Sequence, residues 1–64
     1  MIECLTPTEA TSYLWALGPL STRVWWNNVP VTALAALDRL RDLPPDAPVY
    51  RFGRYLYTPS ALDS

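Results

Sequence analysis

The chain contains no histidine, no lysine and a single cysteine in its 64 residues. Histidine is the commonest metal ligand and the commonest general acid–base. One cysteine and scattered carboxylates cannot build a zinc site. With two glycines in the chain, no glycine-rich phosphate loop can be assembled. Cys4 has no partner for an internal disulfide, and we expect it to be a buried or half-buried small side chain. These absences predict no enzyme, no cofactor and no metal.

Long hydrophobic runs are also missing. No apolar stretch approaches the roughly 18 residues that a membrane-spanning helix needs, and residues 1–4 lack the basic region of a signal peptide. The composition, 50% hydrophobic and 17% charged, is typical of a folded chain. We therefore predict a single domain over residues 1–64 in an intracellular protein, with no membrane partner. Because the net charge is −1, the positions of the five arginines matter more than their number for any polyanion binding.

The first predicted helix begins at Thr6. The run Thr6-Pro7-Thr8-Glu9 matches a capping box with proline at the first helical position, and Gly18-Pro19 ends the helix. An apolar stripe at helical spacing is formed by Ala10, Tyr13, Leu14 and Leu17. Trp15 lies off this stripe.

Two further helices are predicted. Ser21 is a good N-cap for a helix over residues 22–29, which Pro30 would stop. The connection Gly18-Pro19-Leu20 is short enough for a helix-turn-helix corner. A third helix over about residues 32–43 follows, with Leu34, Leu37 and Leu40 on its apolar face. The proline-rich stretch 44–48 is a stiff connector.

The C-terminal part predicts a β-hairpin. Segments 49–52 and 55–58 flank Gly53-Arg54, a loop typical of a type II′ turn. In this register one face carries four aromatic rings, those of Tyr50, Phe52, Tyr55 and Tyr57. We expect this face to be core; exposed, it could stack single-stranded bases. A final turn at Ser60, Ala61 and Leu62 is predicted to close the core with Leu62.

Together these elements predict an α+β fold, a small winged helix-turn-helix with three helices followed by a C-terminal two-stranded β-hairpin. In such folds the second helix enters the major groove of DNA and the hairpin acts as a wing. Arginine reads guanine, asparagine reads adenine, and serine or threonine contacts phosphates. The candidate DNA-binding residues are Ser21, Thr22, Arg23, Trp26, Asn27, Arg51 and Arg54.

Three segments resemble excisionase and MerR-like winged-helix DNA-binding domains. Residues 5–10 look like their L-T-x-x-E-A opening, residues 20–25 are similar to their second helix, and residues 49–62 look like their V-x-R-x-G-R wing. The resemblance implies an accessory DNA-binding factor of a phage or mobile element, or a small transcription regulator, in a bacterial cytoplasm. It also implies double-stranded attachment-site or operator DNA as partner, an integrase as a second partner and cooperative self-association. DNA contact is carried over to Thr22, Arg23, Arg51 and Arg54.

A second interpretation is a small protein–protein interaction module, of the kind by which a phage inhibits or adapts a host protein. Trp25 and Trp26 point about 100° apart on a helix, so both cannot face one core. Exposed tryptophan is enriched at interface hot spots. The two functions predict different surfaces. A DNA binder should bring Arg23, Arg51 and Arg54 onto one face, whereas an interaction module should expose a contiguous apolar patch.

Overall fold

The computed structural model of the protein describes residues 1–59. Its elements are, in chain order, β1 (Glu3–Leu5), α1 (Pro7–Ala16), β2 (Arg23–Trp26), β3 (Val29–Thr32), α2 (Ala33–Arg41), β4 (Val49–Phe52) and β5 (Tyr55–Tyr57). The strands form one mixed sheet in the order β1-β4-β5-β2-β3, in which β2 and β5 are parallel and the other neighbours are antiparallel. No helix within residues 1–59 is long and apolar enough to span a bilayer.

The start of α1 confirms the predicted capping box. The Thr6 hydroxyl accepts a hydrogen bond from the Glu9 backbone N–H at 3.1 Å, and the Glu9 carboxylate accepts from the Thr6 backbone N–H at 2.9 Å. These bonds satisfy backbone donors that a helix start otherwise leaves unpaired. The helix ends at Ala16, two residues before Gly18, which adopts φ +101°. The predicted stripe packs inward, since Ala10 and Leu14 are buried and Tyr13 and Leu17 lie against the core.

The predicted second helix is wrong, because residues 23–32 form the β2–β3 hairpin. Asn27 and Asn28 adopt φ +51° and +72°, the left-handed backbone of a two-residue hairpin turn, which asparagine tolerates better than most residues. The β-branched and aromatic side chains of β2 suit a strand. Pro30 lies in the edge strand β3, where a missing backbone donor is tolerated, so it does not mark a helix end.

The third predicted helix is found as α2. Thr32 is its N-cap, and its hydroxyl accepts from the Ala35 backbone N–H at 3.2 Å. Its core face is formed by Ala33, Ala36, Leu37 and Leu40. Leu34 was expected on that face, but it is 58% exposed. The helix packs against α1 and against β2 and β3.

The C-terminal hairpin is confirmed in its register. Phe52 pairs with Tyr55, Tyr50 pairs with Tyr57, and Gly53 has φ +60°, as a type II′ turn requires at its first central position. The hairpin is not an isolated wing, however, because it lies between β1 and β2 in a five-stranded sheet. The predicted winged helix-turn-helix of three helices and a two-stranded hairpin is therefore wrong: residues 1–59 form two helices and five strands.

Both helices cover the same face of the sheet. Val24, Val49 and Leu56 are fully buried and join the inward residues of α1 and α2 in one core cluster. Strand alternation and register place these three side chains on one face. The hairpin was predicted to use its aromatic face as core, but the aliphatic face is the one that is buried. The predicted turn at residues 60–62 lies outside the described residues.

Candidate functional site: an aromatic sheet face

The face of the sheet away from the helices carries five aromatic side chains, which we call the aromatic face: Trp25, Tyr50, Phe52, Tyr55 and Tyr57. They come from the three central strands, and the register sets Tyr55 between Trp25 on one side and Phe52 on the other. None of the five is buried, and Phe52 and Tyr55 are 53% and 38% exposed. Contiguous exposed apolar side chains often mark an interaction site, so this half-buried and exposed set makes the face a candidate binding surface.

Three rings of the aromatic face, those of Trp25, Tyr55 and Tyr57, are arranged in a row. The Trp25 and Tyr55 ring centroids are 4.8 Å apart with an interplanar angle of 14°, and those of Tyr55 and Tyr57 are 6.4 Å apart at 11°. The Tyr57 hydroxyl donates to the Asn28 side-chain carbonyl at 3.0 Å. Because neighbouring rings in the row face one another, the row exposes mainly ring edges, which carry partial positive charge.

Two arginines border this face at the tip of the β4–β5 hairpin. Arg23 lies on the same face as Trp25, two residues earlier in β2, and Arg54 is in the turn. The Arg54 backbone carbonyl accepts from the Trp25 N–H at 3.0 Å, which places the Arg54 backbone beside the start of β2, where Arg23 lies. Both are exposed, and within residues 1–59 neither forms an ion pair with a carboxylate.

Arg51 was expected to lie on the same face as Arg23 and Arg54, but it does not. It lies on the opposite face of the hairpin, where its guanidinium pairs with Glu3 and donates from Nη1 to the Gly53 carbonyl at 2.7 Å. It also sits over the Tyr13 ring, 4.6 Å from the centroid. The hydrogen bond to Glu3 raises the pKa of Arg51, with burial acting in the opposite direction. Its charge is therefore already neutralised within the fold.

Asn27 and Trp26 make contacts within the fold. The Asn27 side chain accepts from the Thr58 backbone N–H at 2.9 Å and donates to the Thr58 hydroxyl at 3.1 Å. Its own backbone N–H donates to the Leu56 carbonyl at 2.8 Å. Trp26 packs against the core cluster. Neither side chain is directed toward the aromatic face.

Ser21 and Thr22 lie in the turn before β2, so they are not the first residues of a recognition helix. Ser21 is exposed and Thr22 is half-buried. The Thr22 carbonyl accepts from the Ala33 N–H at 2.8 Å and the Leu20 carbonyl accepts from the Leu34 N–H at 3.1 Å, which caps the first turn of α2. Of the seven predicted residues, the structure brings together Arg23 and Arg54.

The candidate DNA-binding residues did not include Trp25, which only the interaction-module interpretation named, and the hairpin aromatics were interpreted as core. A signal for Trp25 was present, because Val24-Trp25-Trp26 followed by Asn27-Asn28 is typical of a strand and a tight turn. No cluster of three potential metal-ligating side chains occurs among the residues that the structure describes. Cys4 is exposed on β1, so the expectation that it is buried or half-buried is wrong.

No protein-family model, curated protein or solved structure matches this chain. The excisionase resemblance therefore stays a prediction from the sequence, and the geometry of the chain itself carries the functional argument.

Proposed function

We propose that this protein is a protein-interaction module that docks on its partner through the aromatic face. The observation that carries the proposal is the row of Trp25, Tyr55 and Tyr57, extended by Tyr50 and Phe52, on the side of the sheet opposite α1 and α2. Aromatic residues and arginine are enriched at protein interfaces, whereas lysine and carboxylates are depleted at their centres. The aromatic face with Arg23 and Arg54 matches this composition.

The arrangement of the arginines favours a protein partner over duplex DNA. The DNA interpretation depended on Arg23, Arg51 and Arg54 facing one partner, but Arg51 is paired with Glu3 on the other side of the sheet. Two free arginines neutralise about two phosphates, which is a small electrostatic contribution beside the six to ten contacts of a strong binder. Binding of attachment-site or operator DNA stays a prediction from the sequence, with no recognition helix to support it.

The test is affinity capture from a lysate of the source cells with three forms of the tagged protein. We expect the wild-type chain to retain a partner that a Phe52→Ala/Tyr55→Ala double variant loses, because that variant removes the two most exposed rings of the face. Trp15→Ala is the matched control: Trp15 is 58% exposed, but it lies on α1, on the other side of the sheet.

Retention of the same partner by the double variant would contradict the proposal. So would a mobility shift with duplex DNA fragments that depends on Phe52 and Tyr55 while no protein is captured. Circular dichroism of each variant checks that the loss of binding does not come from unfolding.

A further inference from the structure

We infer that the partner presents an acidic polypeptide segment, whose carboxylates pair with Arg23 and Arg54 at the tip end of the aromatic face. This inference rests on the proposed function and specifies the chemistry of the partner. The chain as a whole is slightly acidic, with net charge −1, yet its charges are sorted by location. Strand positions in residues 1–59 include one acidic residue, Glu3, which lies on the helix-covered side opposite Arg51.

The remaining described acidic residues lie away from the strands. Glu9 caps α1, Asp38 and Asp42 belong to α2 and its C-cap, and Asp46 lies in the connector before β4. Asp38 is already 3.9 Å from Arg41. The strand positions of the aromatic face therefore carry arginine and no carboxylate. Opposite charges across an interface set partner choice and orientation, so this sorting favours a negative partner surface.

The arrangement of the rings also favours a negatively charged partner surface. Ring edges are the positive part of an aromatic quadrupole, and these rings turn their faces toward one another. Carboxylate oxygens can accept from the arginine forks and lie against the ring edges, whereas nucleobases need free ring faces on which to stack. A polypeptide with acidic and apolar residues thus fits the surface better than single-stranded nucleic acid.

The experiment uses two pools of fluorescein-labelled twelve-residue peptides that share the same randomised apolar positions. One pool carries Asp and Glu at every third position and the other carries Asn and Gln there. Binding to the full chain is followed by fluorescence anisotropy, and the site is mapped by amide, tryptophan and arginine side-chain NMR shifts. We expect the acidic pool to bind at least about tenfold more tightly than the amide pool, with shifts centred on Trp25, Tyr55 and Arg54.

Two double variants separate local charge from net charge. Arg23→Gln/Arg54→Gln should lose the preference for the acidic pool, whereas Arg39→Gln/Arg41→Gln, which changes the net charge equally on α2, should keep it. Equal binding of the two peptide pools, weak or strong, overturns the inference. An equal loss of the preference for the acidic pool in both double variants also overturns it. If the lysate partner binds Arg23→Gln/Arg54→Gln normally but not Phe52→Ala/Tyr55→Ala, the inference fails while the proposed function stands.

A single-stranded oligothymidine serves as the competing probe. Tighter binding of this probe than of either peptide pool, lost in Phe52→Ala/Tyr55→Ala, would overturn both the inference and the proposed function in favour of nucleic-acid binding. Salt titration then reports how many phosphates are neutralised.

Discussion

Arg51 connects three parts of the molecule through one side chain. It pairs with Glu3 on β1, lies over the Tyr13 ring on α1, and donates to the Gly53 carbonyl in the hairpin turn. The Tyr13 hydroxyl donates to the same carbonyl at 2.8 Å. The side chain is 24% exposed, so solvent screens the ion pair in part. Its role is to hold the hairpin tip in position, which in turn positions Phe52 and Arg54.

Arg51→Gln should lower the free energy of unfolding by about 1 kcal/mol, because it removes a charge-assisted pair and a cation–π contact at a partly exposed site. For a chain of this size that corresponds to a drop of roughly 4–8 °C in Tm. Arg54→Gln is the control and should leave Tm unchanged, since Arg54 is exposed and forms no ion pair within the described residues. Equal Tm values for the two variants, measured by circular dichroism, would contradict this role for Arg51.

The β2–β3 hairpin depends on its turn. Asn27 combines a left-handed backbone with two side-chain hydrogen bonds to Thr58, which is buried. These bonds connect the turn to the end of β5, and the parallel pairing of Trp25 with Tyr55 lies directly beside them. The turn therefore aligns the two strands that supply the centre of the aromatic face.

Asn27→Ala should destabilise the protein by about 2–3 kcal/mol. The substitution removes the side-chain carbonyl that accepts from the buried Thr58 backbone N–H. It also places alanine, which lacks the local side-chain hydrogen bonds of asparagine, at a positive φ. Asn27→Gly removes the same side chain but tolerates the backbone, so it should cost about 1 kcal/mol less than Asn27→Ala. Urea unfolding of the two variants measures the cost of losing the side chain and the added cost of alanine at positive φ. Identical stabilities would show that the backbone conformation contributes nothing.

At the scale of the whole molecule, the two faces of the sheet have different roles. The helix-covered face holds the buried aliphatic residues, and the aromatic face holds larger side chains that remain accessible. A chain of this size buries a smaller fraction of its surface than a larger domain. It nevertheless leaves five aromatic rings outside its core. The core thus lies on one side of the strands, and the proposed binding surface lies on the other.

Leu56→Ala and Phe52→Ala should separate these roles. Removing the fully buried Leu56 side chain should cost about 2–5 kcal/mol, a large part of the roughly 3–10 kcal/mol expected for a domain of this length. Phe52→Ala should cost less than about 1 kcal/mol because its ring is half in solvent already. Chemical denaturation of both variants provides the measurement. Comparable losses would mean that the aromatic face is part of the core after all.

Local features of the chain were determined by the sequence itself. The capping box at Thr6 and Glu9 and the register around Gly53-Arg54 depend on residues that are three to seven positions apart, so short-range chemistry is enough to predict them. The helix at Ala33–Arg41 was also recognisable from its apolar spacing. The exclusion of a disulfide within the chain likewise follows from composition alone.

Only the tertiary structure decided which hairpin face became the core and which residues form the candidate site. Ser21 and Pro30 resemble helix boundaries, and the strand at Arg23–Trp26 is stabilised by pairing with β5, about thirty residues away in the chain. The side chains of β2 suit a strand, but its pairing with β5 leaves no signature in sequence spacing. Long-range pairing also decides the role of Arg51. Within the hairpin alone it would be an exposed arginine, but the pairing of β4 with β1 places Glu3 beside it. Burial of a face depends on what packs against it, and within residues 1–59 both α1 and α2 pack against the aliphatic side rather than the aromatic side.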